Sequence, residues 1–457
     1  MSTAALDRSS VETPGGRGQV VAWGLWDWGS AAYNAVILTF VFSVYLTDSV
    51  GADPVNPDQF PGSVSANSWL AWSIAIAGLF IALLAPVTGQ RADAGGHRKL
   101  ALGVWTGLVV VATAGLFFVR DEYSYLWLGL VLLSLGSIFF EFASVSYNAM
   151  LRQVSTPDNI GRVSGFGWAM GYFGGIVLLL LVYVGFVTGD GETRGALGIS
   201  TDGGLNIRVI ALVAALWFAL FAIPVLLKVP ETPGLSKEKR LGFFASYRKL
   251  FADLKELYRT DRHTVYFLGA SALFRDGLAA IFTFGAVLAV TVYGINEADV
   301  LIFGVAANVA SALGAILGGR LDDRIGPKAV IMGSLVGMLV SGGILAFLSG
   351  PTAFWIFGLA LTLFVGPAQS SSRTYLARLT PPGKEGQMFG LYATTGRAVS
   401  FLAPSLVGFF TFAFDSDRAG IVGILIVLAA GTIALWGVRP PTPDRDAAHV
   451  APVTREP

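Results

Sequence analysis

The sequence contains no cysteine, and charged residues make up only 13% of its 457 residues. The absence of cysteine excludes disulfides and thiolate metal sites. A soluble domain carries about 25% charged residues, so this chain has too few for a surface that faces water everywhere. Its net charge of +1 gives no electrostatic reason to expect a nucleic acid partner. The sequence also lacks a G-x-x-x-x-G-K-[ST] phosphate loop and any metal-ligand or nucleophile–base constellation. We therefore expect no cofactor and no enzymatic activity.

The sequence is rich in long apolar runs, and 54% of its residues are hydrophobic. About 20 apolar residues suffice for a helix to cross a bilayer, and runs of that length recur twelve times. This pattern predicts an all-α integral membrane protein with twelve transmembrane helices. The predicted spans, numbered one to twelve below, cover residues 20–46, 67–90, 99–118, 124–151, 163–187, 206–228, 263–292, 298–319, 328–349, 353–378, 387–412 and 419–438.

The loops between these spans differ in charge. Of the 31 lysines and arginines, 25 fall on the side of the two termini. The opposite side holds only four: Arg120, Arg194, Arg208 and Arg418. Because loops rich in lysine and arginine stay in the cytoplasm, both termini are expected there, in a bacterial cytoplasmic membrane.

The longest connection divides the chain into two halves. Residues 20–228 and 263–438 each form a predicted six-helix bundle, and residues 229–262 form a cytoplasmic loop between them. Polar tails of residues 1–19 and 439–457 flank the bundles. Within the loop, apolar residues recur at helical spacing in "FFASYRKLFADLKELY", which predicts an amphipathic helix in the headgroup plane.

Two registers of residues repeat between the halves, and this indicates a duplication. The first register follows spans two and eight at an offset of 230 and pairs Gly89, Asp93, Gly96 and Arg98 with Gly319, Asp323, Gly326 and Lys328. The second follows spans four and ten at an offset of 225 and pairs Pro157, Gly161, Gly165 and Gly171 with Pro382, Gly386, Gly390 and Gly396.

The segment "GRLDDRIGPK" resembles the G-x-L-x-D-R-x-G-x-K signature of the major facilitator superfamily, with Arg324 also at its expected position. The stretches "WDWGSAAY", "YNAMLRQVSTPDNIGRVSGFGWAMGYFGG" and "VGPAQSSSRTYLARLTPPGKEGQMFGLY" are similar to the branch of fungal vacuolar amino-acid effluxers linked to autophagy and their bacterial relatives. The resemblance implies two six-helix halves that rock about a central cavity. It also implies that spans one, four, seven and ten line this cavity.

Charged groups inside spans are costly in lipid and are therefore candidates for function. Asp27 and Asn34 lie seven residues apart on one face of span one, and Glu141 and Asn148 do the same on span four. These groups could bind an amine, while an arginine could bind a carboxylate. The candidates for substrate binding or coupling are Asp27, Asn34, Glu141, Asn148, Arg275, Asp276, Gln369 and Arg397.

Structural alternatives exist for several of them. Asp27 stands between tryptophans that could form an aromatic belt at the headgroups. Arg275 could neutralise Asp27 or Glu141, or Arg275 and Asp276 could pair with other helices. Arg373 lies close enough to the end of span ten to extend to the headgroups, which favours a structural role.

The repeated turns after spans two and eight suit a gating role, because an acid there can cap a helix N-terminus or meet a base in one conformation. The candidates for conformational gating are Gly89, Asp93, Arg98, Gly319, Asp323, Arg324, Gly326 and Lys328.

Taken together, these features predict a monomeric secondary active transporter that moves a small polar solute, by resemblance an amino acid. Without an ATPase, energy would come from protons or another coupling ion, and Glu141 is the favoured coupling group. The alternatives are a proton-linked multidrug efflux transporter and a non-transporting receptor or lipid-handling protein.

Overall fold

A computed structural model describes residues 16–52, 64–231 and 243–439. The parts of the predicted tails before residue 16 and after residue 439, and residues 232–242 of the central loop, lie outside the described residues. Among the residues described, almost the whole chain is helical.

The prediction of twelve helices that are long and apolar enough to cross a membrane is confirmed. Several helices extend beyond the predicted apolar runs, because their polar last turns continue past the hydrophobic segment. In chain order, spans one to twelve are Arg17–Ser49, Ala66–Gly95, Arg98–Phe118, Tyr123–Gln153, Ile160–Val187, Asp202–Lys228, Arg262–Thr291, Asp299–Ile325, Pro327–Phe347, Pro351–Leu379, Glu385–Phe414 and Ala419–Trp436.

Spans one and eleven are not continuous α-helices. Span one is α-helical over Arg17–Ala31 and continues with wide π-helical turns over Ala32–Phe40 and Tyr45–Ser49. Span eleven is divided into Glu385–Val399 and Leu402–Phe414. Pro404 explains this break, since it has no N–H to bond the carbonyl of residue 400 and fits best in a first helical turn.

Two further elements connect the spans. Strands β1 (Thr193–Arg194) and β2 (Ile199–Ser200) form a short antiparallel hairpin between spans five and six. A helix over Phe243–Thr260, called the linker helix below, precedes span seven. Leu250 of this helix is buried, and Tyr247 donates a hydrogen bond to the carbonyl of Leu83 in span two.

Spans one to six pack among themselves, as do spans seven to twelve. The two halves meet mainly through span two against span eleven and span five against span eight. Close backbone contacts join the halves near the end of the bundle at which span one begins and span twelve ends, called the terminus end below. There, a Cβ added at Gly89 would overlap the carbonyl of Gly386, and one added at Gly161 would lie 2.6 Å from the carbonyl of Gly319.

The spans without interior charge present much of the outer surface. Exposed apolar side chains stand on span three (Val111), span six (Leu216), span nine (Val340) and span twelve (Ile433), among others. Exposed apolar side chains on these spans fit contact with lipid rather than with water.

Candidate functional site

Arg373 of span ten crosses from the second half into the first. One guanidinium nitrogen, Nη1, lies 3.5 Å from Oδ2 of Asp27 and donates a hydrogen bond to Oδ1 of Asn148 at 3.1 Å. Nε and Nη2 donate to Oγ and the carbonyl of Ser164, at 2.9 and 2.7 Å. The guanidinium is thus held by spans one, four and five of the other half.

The expectation that Arg373 extends to the headgroups is wrong. Its side chain is only 5% exposed, because the interface between the halves surrounds it with hydrogen-bond acceptors. Its position near the end of span ten indicated a possible exit to water, but the side chain points across the bundle. The guanidinium therefore lies at the interface between the two halves, within reach of acceptors from three spans.

Asp27 lies at the same level in span one and accepts a hydrogen bond from Tyr147 Oη at 3.0 Å. The ring of Tyr147 stacks between two tryptophans, with centroids 4.4 Å from Trp23 and 4.3 Å from Trp26. The aromatic-belt alternative is therefore wrong for these two tryptophans. Both are almost fully buried, and their indole N–H groups bond Tyr147 and Thr106 inside the bundle.

Aromatic rings also surround the guanidinium. Arg373 Cζ lies 4.9 Å from the ring centroid of Trp23, 5.8 Å from that of Tyr147 and 5.6 Å from that of Trp168. Rings at these distances attract a cation through their negative faces. Gly167 makes this packing possible, because a Cβ there would lie 2.6 Å from the Trp23 ring and 3.0 Å from Arg373. Together, Asp27, Arg373, Asn148 and these rings form what we call the central site.

The indole N–H of Trp168, a buried donor in span five, has no hydrogen-bond partner within the described part of the chain. Trp168 contacts the guanidinium through its ring, and its ring also lies 6.0 Å from that of Tyr172. A buried donor without a partner is costly, so the Trp168 indole is suited to an acceptor supplied from outside the protein.

A second ion pair joins the halves farther from the terminus end. Arg397 Nη2 of span eleven donates to Oε2 of Glu141 in span four at 3.0 Å. Glu141 lies seven residues, or about 10 Å along a helix, from Asn148 of the central site. The two side chains are 19% and 36% exposed, so this pair is accessible to solvent, unlike Arg373.

The remaining candidates in span seven do not join either pair. Arg275 Cζ lies 3.8 Å from the ring centroid of Tyr392, and Nη1 donates to the carbonyl of the same residue. Arg275 therefore does not neutralise Asp27 or Glu141, which contact Arg373 and Arg397 instead. Asp276 accepts a hydrogen bond from the backbone N–H of Ala403 at 2.7 Å, in the first turn of the second segment of span eleven.

Asn34 and Gln369 complete the set of candidates. Asn34 is exposed and lies in the π-helical part of span one, where the predicted seven-residue stripe from Asp27 no longer follows regular α geometry. Gln369 is half-buried and precedes the serines of span ten.

The gating candidates occupy the terminus end, where the two repeats make equivalent contacts. Asp93 accepts hydrogen bonds from the backbone N–H groups of Gly386 and Gln387 in the first turn of span eleven. Asp323 accepts them from Gly161 and Arg162 in span five. Each acid thus stabilises the positive N-terminal end of a helix in the opposite half. The sequence suggested that both acids lie in the turns after spans two and eight. In the structure they lie in the last helical turns of these spans.

The contact made by Asp93 of the first half is more extensive than the contact made by Asp323 of the second half. Arg98 bonds both Asp93 and Glu385, at 2.7 and 2.5 Å, and Arg152 bonds Glu385 at 3.2 Å. The second-half contact has one ion pair, between Arg162 and Asp323 at 2.8 Å. The sequence did not identify Glu385 and Arg152 as candidates, because an acid in a first helical turn and a base in a loop are ordinary features.

The remaining gating candidates, from the signature segment, lie in the second half. Lys328 donates to the carbonyls of Trp436 and Val438 at the end of span twelve. Gly326 adopts a positive φ of 85° between spans eight and nine, a conformation that favours glycine. Arg324 is exposed at the end of span eight.

The fold is that of the major facilitator superfamily. The proton:xylose symporter XylE, solved with 6-bromo-6-deoxy-D-glucose bound, superposes with a TM-score of 0.72 at 14% identity and covers 94% of this chain and 98% of that one. Such identity establishes the fold alone.

Residues 152–448 match the family described as vacuole effluxer Atg22 like, and the chain belongs to this family. The uncharacterized MFS-type transporter YxiO of Bacillus subtilis (strain 168) is 26% identical over 91% of this chain and 93% of its own. Autophagy-related protein 22-1 of Neosartorya fischeri is 27% identical over 58% of this chain. The match covers 46% of that fungal relative, so this chain spans about half of its length.

Proposed function

We propose that the protein is a secondary active transporter for a small zwitterionic solute, such as an amino acid. One observation carries this proposal: Arg373 and Asp27 lie 3.5 Å apart at the contact between the two halves. A zwitterion has its carboxylate and ammonium close together and matches a guanidinium beside a carboxylate. The family resemblance noted from the sequence also implies amino acids.

The unpartnered indole of span five supports a ligand with a carboxylate. Arg373 and the Trp168 indole can both donate to an anionic oxygen. The carboxylate of Asp27 is the acceptor for an ammonium group, since Asn148 Oδ1 already accepts a hydrogen bond from Arg373. Because the site uses groups of both halves, the ligand would be bound between the parts that move in alternating access.

We assign proton coupling to Glu141. Its ion pair with Arg397 connects the halves and is partly exposed. Protonation would remove the charge of Glu141 and weaken its bond to Arg397, which would favour separation of spans four and eleven. Proton binding would thus change the balance between two conformations, as a coupling ion must.

We place the terminus end in the cytoplasm of a bacterial cell. The excess of lysine and arginine in the terminus-side loops supports this orientation, and similarity to the Bacillus protein supports a cell membrane location. In this orientation the described conformation is closed at the cytoplasmic side by the contacts of Asp93 and Asp323.

Efflux of an organic cation is a second candidate, favoured by the aromatic rings of the central site. Trp23, Tyr147 and Trp168 surround the guanidinium of Arg373, which lies 3.5 Å from the Asp27 carboxylate, and such rings also suit a cationic drug. In that case Asp27 would bind the ligand, and the guanidinium of Arg373 would have to move away from the Asp27 carboxylate.

Thermal-shift screening of the purified protein against amino acids, peptides, sugars and cationic drugs at two pH values tests both candidates. A ligand that binds the folded state raises the Tm, and a pH dependence of that shift indicates proton linkage. Compounds that bind are then tested for counterflow in proteoliposomes. Arg373→Gln is the informative variant, and Arg320→Gln, which removes an exposed arginine at the terminus end, is the matched control.

We expect zwitterionic amino acids to raise the Tm and to exchange across the vesicle membrane, and the Arg373→Gln protein to lose both effects. Binding of cations alone, with Arg373→Gln still active, would favour efflux of organic cations. Binding without any flux would identify a receptor and overturn the proposal.

A further inference from the structure

The linker helix exposes a stripe of aromatic side chains. Phe244, Phe251 and Tyr258 are spaced by seven residues, so they lie on one face of the helix. They are 85%, 67% and 51% exposed, respectively. Three exposed rings on one helix face are unusual in water and need an apolar neighbour.

A stripe of cations lies beside the rings. At about 100° per residue, Arg248, Lys255 and Arg259 project within about 60° of Phe244 around the helix axis. All three are exposed, and in the described ranges none of them makes an ion pair. The acidic Asp253 lies on the far side of the helix, where its Oδ1 is 3.5 Å from Lys384 Nζ.

The opposite face of the linker helix is fixed to the protein. Leu250 is 6% exposed, and Leu254 and Leu257 pack against the core. Asp253 also accepts a hydrogen bond from the Gln387 side chain at 3.2 Å, in the first turn of span eleven. With this face anchored, the aromatic and basic stripes must point away from the bundle.

Two contacts place the stripes at the membrane boundary. Tyr247 Oη donates to the carbonyl of Leu83 at 2.6 Å, and Leu83 is an exposed apolar residue about 18 Å along the helix from the end of span two at Gly95. At the other end of the linker helix, the ring of Tyr258 lies 6.2 Å from that of Tyr266, which is exposed in the first turns of span seven.

We propose that the linker helix binds anionic phospholipids of the leaflet at the terminus end. The rings of Phe244, Phe251 and Tyr258 enter the boundary between headgroups and acyl chains, and Arg248, Lys255 and Arg259 bind lipid phosphates. Amphipathic helices at an interface combine these two contributions, apolar burial and attraction to negative headgroups. A soluble partner is disfavoured, because the stripe continues into the exposed surface of a membrane span.

Native mass spectrometry of delipidated, detergent-purified protein tests this inference. Phosphatidylglycerol is titrated as the probe, phosphatidylcholine serves as the zwitterionic comparison, and inorganic phosphate distinguishes a lipid from a free anion. The triple variant Arg248→Gln, Lys255→Gln and Arg259→Gln removes the cations and leaves the central site intact. The triple variant Arg120→Gln, Lys228→Gln and Arg320→Gln removes three other exposed cations as the control.

We expect phosphatidylglycerol to bind more tightly than phosphatidylcholine and to raise the Tm. Each cation near a membrane surface contributes a few-fold to affinity, so the helix variant should lose about 10- to 100-fold for phosphatidylglycerol. The control variant should lose less than threefold. Equal binding of both lipids, equal loss in both variants, or saturation by inorganic phosphate would overturn the inference. Since no solute is involved, failure of the transport proposal would leave this result unaffected.

Discussion

Arg373 and Asp27 belong to opposite halves of the molecule, yet a guanidinium nitrogen of one lies 3.5 Å from a carboxylate oxygen of the other. This pair is held by neighbours that are themselves fixed. Tyr147, which bonds Asp27, is stacked between two buried tryptophans, and Ser164, which bonds Arg373, also donates to the carbonyl of Ser370. The two charges therefore stay in place before a ligand arrives, which lowers the cost of binding.

The first prediction concerns the charge of Asp27. Asp27→Asn keeps the size of the side chain and an acceptor for Tyr147 but removes the negative charge. We expect the Kd for a zwitterionic ligand to rise about 10- to 100-fold, the effect of losing one charge-assisted contact of about 1.4–3 kcal/mol. Isothermal titration calorimetry or the thermal-shift assay measures this change.

Asp48→Asn is the control, because Asp48 is an exposed acid at the far end of span one. The double variant Asp27→Asn with Arg373→Gln should lose less than the sum of the two single losses, since the residues are in direct contact. Additive losses would mean that the two charges do not act together on the ligand.

The second prediction concerns Glu141 and its pair with Arg397. Glu141→Gln removes the proposed coupling group, so we expect exchange of solute between equal concentrations to continue and proton-driven accumulation to stop. Counterflow and uphill uptake in the same proteoliposomes measure the two activities separately. Glu122→Gln, at an exposed acid near the start of span four, provides the matched control. Uphill uptake by the Glu141→Gln protein would exclude Glu141 as the coupling group.

Hydropathy was sufficient to predict the twelve spans, because the length of an apolar helix follows directly from bilayer thickness. The cost of charge in lipid also identified Asp27, Glu141 and Arg397 as unusual. Their partners could not be predicted in the same way. Which arginine meets which carboxylate depends on how two halves pack, and residues such as Arg373 and Asp27 are distant in sequence.

The wrong expectation for Arg373 has a physical cause. Depth along a helix can be counted from the sequence, but direction around the bundle cannot, and for this reason Arg373 was expected at the headgroups. Asp276 shows the same limitation. Its place in span seven could be predicted, but its hydrogen bond to the N–H of Ala403 could not, because the start of that helix segment depends on the break in span eleven.

The third prediction separates stability from transport at Asp276. Asp276→Ala leaves the N–H of Ala403 without its acceptor, and loss of such a helix cap costs about 1–2 kcal/mol. We expect a lower Tm in detergent and an unchanged KM for the solute. Asp276→Asn retains an oxygen that can cap the helix and should restore most of the Tm. If Asp276→Asn instead abolished transport while folding normally, Asp276 would belong to the coupling or binding groups.

The fourth prediction concerns the close contact between Gly89 and Gly386 at the terminus end. A Cβ at Gly89 would overlap the carbonyl of Gly386, so Gly89→Ala should prevent spans two and eleven from closing there. Alanine is favoured over glycine in a helix by about 1 kcal/mol, so any loss of closure would not arise from a weaker helix. We therefore expect the conformational equilibrium to shift toward a state that is open at the terminus end.

The absence of natural cysteine allows this shift to be measured with one introduced thiol. Thr380 is fully buried, and its carbonyl accepts a hydrogen bond from Arg152 of the other half. In a Thr380→Cys background, Gly89→Ala should increase the rate of labelling by a water-soluble maleimide several-fold. Gly107→Ala, at a glycine with no atom within 4 Å of an added Cβ, should leave the rate unchanged. Equal labelling in both variants would show that contact of these two backbones does not limit opening.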